Sequence, residues 1–219
     1  MSFDAKRVVF LGLGLISGSL AKALRHEGWT GELVAWGPRE KSLALGLELG
    51  VIDSYSLDLD DAIFGADMIV VGAPPVATGE LLATLLPKLA NHPHSPVVTD
   101  LASIKNFVIE TAGTDYPNFV PGHPIAGSED SGVLAARANL FAGRETILTP
   151  LAGTAPEAVR QVEAMWLLAG SRVTQMSVDD HDAALAASSH SPHMLAYALT
   201  MALAKDRLAP MQHGGGALR

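Results

Sequence analysis

The chain has 219 residues, 48% hydrophobic and 17% charged, which is enough for one or two domains with a buried core and too apolar for a disordered chain. Its net charge of -8 excludes the basic face of a nucleic-acid binder, so any anionic ligand has to be held by local donors. There is no cysteine, which excludes disulfides and thiolate metal sites.

The opening "MSFDAKRVVF" lacks the long apolar core and small-residue cleavage site of a secretory signal. The longest apolar stretch, Met194 to Ala204, is interrupted by Thr200 and falls short of the ~20 residues that cross a bilayer. A cytoplasmic protein with no membrane or nucleic-acid partner is expected.

In chain order, "RVVFLG" (7–12) is a short apolar run of the kind that forms a strand buried on both faces. Ile16, Leu20 and Leu24 then recur at spacing four until Gly28 ends a helix. "ELVAWG" (32–37) reads as a second strand, followed by a helix from Glu40 to Leu49 closed by Gly50. "DMIVVGAP" (67–74) and "PVVTDL" (96–101) are further strands, with a helix between them over about 78–89. "NFVPGHP" and "ETILTP" (145–150) add two more, with a short helix expected over 129–138. A helix follows from Pro156, with Val159, Val162, Trp166 and Ala169 on one stripe, and "RVTQMS" (172–177) reads as the last strand of the sheet. Strand–helix alternation with short connections predicts an α/β fold with a doubly wound, parallel, Rossmann-type sheet over 1–177.

From Val178 the chain is Ala-rich, and beyond Pro192 it is apolar on every side. Such a helix is buried in a larger body or against a partner subunit. Residues 178–219 therefore read as the start of an all-helical domain, incomplete at the glycine-rich end "QHGGGALR".

"GLGLISG" follows the first strand directly and opens the first helix. Gly12 suits a tight turn, Gly14 lets the backbone approach a pyrophosphate, and Leu15, Ile16 and Ser17 begin the helix whose free N–H groups face that anion. Ser17 takes the third, small position of the fingerprint, with Gly18 beside it. A G-x-G-x-x-small pattern also arises from any close strand–helix contact, but its place inside a βαβ unit favours dinucleotide binding. Ala73 and Pro74, at the end of a neighbouring strand, belong to the same expected cofactor set.

An NAD site usually places an acid at the end of the second strand, on the ribose 2'-hydroxyl. Here Gly37 stands in that place and Arg39 follows two residues later. A 2'-phosphate is then not repelled and Arg39 can pair with it, so the cofactor reads as NADP or NAD, with NADP favoured. A solvated arginine at a helix start is the plainer alternative.

"FVPGHPIAGSEDSG" (119–132) places His123 between a glycine and a proline. Pro124 biases His123 toward an extended backbone. The loop follows a strand at the carboxyl edge of the sheet, where ligands of open α/β sheets bind. A neutral imidazole there can take a proton from a hydroxyl as hydride leaves the same carbon.

"GLGLISGSLA", "TDLASIKN", "FVPGHPIAGSEDSG", "HDAALAASSHSPH" and the terminal "GGGALR" occur in the order seen in the prephenate/arogenate dehydrogenase family of tyrosine biosynthesis. The chain resembles that family over essentially its whole length, most specifically in the histidine loop and in "SHSPH". The resemblance implies a nucleotide-binding domain followed by a helical domain that forms a homodimer, and oxidative decarboxylation of prephenate or arogenate. It implies that His123 is the catalytic histidine and that Ser103, in "TDLASIKN", orients the substrate hydroxyl or the histidine. Ser103 or Asp100 serves equally well as a cap of the helix that follows. In this family's D-x-G-S-x-K stretch the glycine is replaced here by Ala102. Glu129 matches an acid that gates the pocket and reads equally as a first-turn helix acid. The second histidine of the "SHSPH" segment, His193, matches one that faces the substrate. Gly215 and Gly216 match the glycine stretch near the substrate, while the family's carboxylate-gripping arginine lies beyond the point where this chain stops.

His190 and His193, spaced to share a helix face, with His181 and Asp182 nearby, offer a metal reading, but no H-E-x-x-H pattern supports it and no metal is expected. Two rival functions remain. A β-hydroxyacid dehydrogenase needs a catalytic lysine on the helical part, where only Lys205 is available. A non-catalytic dinucleotide-binding or dimerisation module would bind cofactor and ignore substrate.

Overall fold

A computed structural model describes residues 2–90, 94–113 and 115–205. They fall into two compact units, Met1–Val178 and Asp179–Arg219. The first unit is built on a six-stranded parallel sheet in the order β3-β2-β1-β4-β5-β6. Its strands are β1 (Arg7–Leu11), β2 (Glu32–Trp36), β3 (Ser54–Ser56), β4 (Met68–Val71), β5 (Val97–Asp100) and β6 (Phe119–Val120). That order reverses direction between β1 and β4, the crevice where open α/β sheets take their ligands.

The continuous apolar runs of β1 and β4 are explained by helices on both faces. Val8 and Phe10 point into one core, with Leu20 and Leu24 of α1 (Leu15–His26). Val9 and Leu11 alternate into the other, with Leu82, Leu85 and Leu86 of α4 (Pro75–Ala90) and Val108 and Ile109 of α5 (Lys105–Ala112). Val162, Met165 and Trp166 of α6 (Pro156–Leu168) join the first core, where Trp166 meets Phe141 edge-on at 5.1 Å. Two shorter helices, α2 (Glu40–Glu48) and α3 (Leu59–Ile63), complete the layer order; β3 has three residues and α3 five, too short for a periodic pattern to announce them.

Three expectations are corrected. "NFVPGHP" does not make one strand of the main sheet. Pro121 has no N–H to give to the β5 ladder, and the chain leaves it after Val120 to form β7 (Gly122–Pro124) in a second sheet. That sheet has the order β7-β8-β9, so β8 (Glu145–Leu148) and β9 (Arg172–Gln175) belong to it rather than to the main one. Nor is there a helix over 129–138. The Ser128 hydroxyl accepts the Asp130 N–H at 3.3 Å and Gly132 takes φ 82°, so local turns compete with the helix, and only Val133–Ala135 forms a 3₁₀ turn.

The second unit carries α7 (Val178–Leu185), a π-helical turn over Ala186–His190, and α8 (Ser191–Ala204). Among the described residues, Met194, Leu195, Tyr197 and Met201 of the apolar helix α8 are all well exposed. Among the described residues no helix is long and apolar enough to cross a membrane.

Candidate functional site

The turn between β1 and α1 is fixed by close packing. Gly12 has φ 101°, and a Cβ on it would lie 2.5 Å from the carbonyl oxygen of Gly72. Gly72 in turn faces the Ser17 hydroxyl, which is buried, so Ser17 fills the small position between α1 and β4. Gly14 differs. It has an ordinary extended backbone, φ -115° and ψ -159°, and no protein atom lies within 4 Å of where its Cβ would be. No neighbouring protein atom therefore requires a glycine there.

That helix end suits an anion. Gly14 caps α1 without a side chain, and the first turn holds no acid, so its N–H groups and positive dipole end are open to a phosphate. Two adjoining hollows share Gly14, Gly72 and Ala73. The larger, about 590 Å³, is walled by Gly12, Trp36, Pro38, Arg39, Pro74 and Leu81. The smaller, about 300 Å³, is walled by Leu15, Ile16, Ser17, Leu101 and the segment Asp130–Gly132. All eight residues assigned from the sequence to the cofactor line one or the other, and the volumes suit a small-molecule ligand.

Several lining residues had no motif to mark them. Trp36, whose indole N–H donates to the Leu57 carbonyl at 3.1 Å, presents an apolar wall at the end of β2. Glu80, on the exposed side of α4, lines the same hollow as Arg39. No acid stands at the end of β2, where Gly37 is buried and Arg39 is exposed.

His123 sits in β7, opposite Ile147 of β8, one residue after Gly122. Its extended backbone agrees with the constraint from Pro124. The half-buried residue follows β6 past the carboxyl end of the main sheet. The Asp100 carboxylate holds the preceding residue, Gly122, whose N–H donates to Oδ1 at 3.2 Å. Asp100 Oδ2 also accepts the Ala102 N–H at 2.9 Å. Ser103, half-buried, lies in that same loop, and the N-cap position of α5 falls on Ile104, whose side chain makes no cap bond.

Glu129 is exposed, one residue before the Asp130–Gly132 wall. His193 belongs to the second unit, where its Nδ1 donates to the Ser189 carbonyl at 2.8 Å; a carbonyl only accepts, which leaves Nε2 as the acceptor of the neutral ring. His181 bonds its neighbour Asp182 at 2.7 Å. Among the described residues no three histidines, aspartates or glutamates converge on one point. Gly215 and Gly216 lie outside the described residues.

Residues 20–175 match the family model for the nucleotide-binding domain of prephenate dehydrogenase. A cyclohexadienyl dehydrogenase of Zymomonas mobilis is 34% identical over 98% of this chain and 74% of its own length. A prephenate dehydrogenase of Bacillus subtilis is 32% identical over 88% of this chain, which spans about half (52%) of that protein. Among solved structures, prephenate dehydrogenase of Aquifex aeolicus in complex with hydroxyphenyl propionate and NAD+ superposes with a TM-score of 0.83 at 31% identity, over 93% of this chain and 71% of that one. Synechocystis arogenate dehydrogenase gives 0.80 at 28% identity, over 97% and 76%. With a fingerprint cleft and a histidine strand in one sheet edge, and with this family match over most of its length, the chain belongs to the prephenate dehydrogenase family.

Proposed function

We propose that the chain carries out NAD(P)-dependent oxidative decarboxylation of prephenate or arogenate, the chemistry named in its relatives. The observation that carries this is the bare Gly14 on an uncapped helix end, in a cleft whose walls are the fingerprint residues, with His123 held at the same carboxyl edge of the sheet. The bound nicotinamide supplies the hydride acceptor.

The protein's own part is positional and acid–base. As a neutral imidazole, His123 accepts the proton of the ring hydroxyl while the carbon bearing it loses hydride. The ring carboxylate leaves as carbon dioxide, and its bonding electrons complete the aromatic ring. Ser103 orients the hydroxyl or the imidazole, Glu129 gates the pocket, and His193 is the further histidine that the family resemblance assigns to the substrate. Arg39, in the cleft with no acid at the end of β2, favours a 2'-phosphate and hence NADP. The exposed apolar side chains of α8 are covered by a second copy in a homodimer.

The test is an assay of nicotinamide reduction with both substrates and both cofactors, beside calorimetry. Turnover of either substrate supports the reading. Binding of cofactor with no response to either substrate would make the chain a dinucleotide-binding module instead.

A further inference from the structure

Lys105 is completely buried at the start of α5. Its ammonium donates to Asp100 Oδ2 at 2.6 Å and to the carbonyl oxygen of Gly122 at 2.6 Å. Asp100, equally buried, accepts the N–H of that same Gly122 on its other oxygen. The ion pair therefore holds both polar groups of the residue that precedes His123. Gly122 is also packed tightly: a Cβ there would lie 3.2 Å from the Asp100 carbonyl oxygen and 3.3 Å from Leu148. The remaining bond of Asp100, from the Ala102 N–H, fixes the loop that carries Ser103.

A buried ion pair contributes little net stability compared with an apolar pair of the same volume. What it provides that two apolar side chains cannot is a fixed direction for the peptide it grips. We propose that Lys105 and Asp100 are positioning residues, which aim the His123 imidazole through the Gly122 peptide and hold Ser103 through the Ala102 amide. This rests on the reading of His123 as the proton acceptor. Neither residue touches the reacting atoms; both act through their neighbours.

A double-mutant cycle tests it, with Lys105→Met, His123→Asn and the two combined, each in the full chain. Three quantities are read: prephenate turnover, NAD+ affinity by calorimetry, and amide hydrogen exchange over residues 119–124. Lys105→Met is expected to lower kcat roughly tenfold or more, to leave NAD+ affinity within about twofold, and to add almost nothing in the His123→Asn background. Exchange over 119–124 is expected to accelerate, because the partner that holds Asp100 against Gly122 is gone. Equal losses in both backgrounds, full turnover in Lys105→Met, or unchanged exchange would each overturn the proposal. If His123→Asn itself keeps full turnover, or the unaltered chain turns over neither substrate, the proposed function fails, and exchange alone decides the positioning role. Should Lys105→Met not fold, Lys105→Gln, which keeps an uncharged donor, takes its place in the same cycle.

Discussion

Gly12 and Gly72 approach so closely that a single methyl group on the first would lie 2.5 Å from the carbonyl oxygen of the second. Gly14, two residues on, has no such neighbour. The two fingerprint glycines therefore have separable reasons. Gly12→Ala meets backbone and a positive φ, and should cost about 2 kcal/mol, a fall in Tm of roughly 4–8 °C at this size. Gly14→Ala should leave stability within about 0.5 kcal/mol while weakening cofactor binding by about tenfold or more, ~1.4 kcal/mol. Thermal melts and calorimetry on the two variants check this; a Gly14→Ala protein with unaltered cofactor affinity would contradict the placement of the pyrophosphate.

Arg39 is exposed, lies in the larger hollow and faces no acid from the end of β2. If it pairs with a 2'-phosphate, the contact is a charge-assisted one of about 1.5–3 kcal/mol. Arg39→Ala should then weaken NADP+ by roughly ten- to a hundredfold and change NAD+ by less than about threefold. Titration with each cofactor reads both; equal losses for the two would remove the role given to Arg39.

Tyr116 gives a prediction about stability alone. Its hydroxyl donates to the Pro96 carbonyl at 2.6 Å, and burial pushes its pKa from 10.0 to about 12, the bond with Asn118 opposing the shift. The folded pKa is raised, so the unfolded chain loses this proton first as pH rises. The stability contributed by the neutral phenol is complete below pH 10 and is lost between 10 and about 12. Tyr116→Phe should therefore be destabilised by about 1 kcal/mol at neutral pH and show a shallower loss of stability than the unaltered protein in that alkaline window. Denaturant melts at stepped pH check it, and parallel curves would contradict the assignment.

Much of this architecture was legible because burial on both faces leaves an unmistakable pattern. Runs such as "RVVFL" and "MIVV" have no polar side to show, and glycines mark where the chain must turn. The division into two sheets was not legible from the strands themselves, since "ETIL" and "RVTQ" carry no sign of which neighbour they will pair with. The local signal was Pro121, which cannot extend a ladder. Glu129 and Asp130 looked like a helix start because acids there suit a helix dipole, yet Gly132 favours a turn. Lys105 falls on the stripe of Val108, Ile109 and Ala112 that α5 buries, a place where the pattern alone expects an apolar residue. Trp36 and Glu80 became visible as cleft residues only once the fold brought the end of β2 and the start of α4 to one hollow, a relation no local pattern encodes.

In the proposed reaction the imidazole of His123 is the group that takes the substrate proton. His123→Asn preserves the size and the polar character of the side chain and removes the base. Measured together, cofactor affinity should remain within about twofold and prephenate turnover should fall by ~10²-fold or more. Turnover close to that of the unaltered chain, with cofactor still bound, would contradict it.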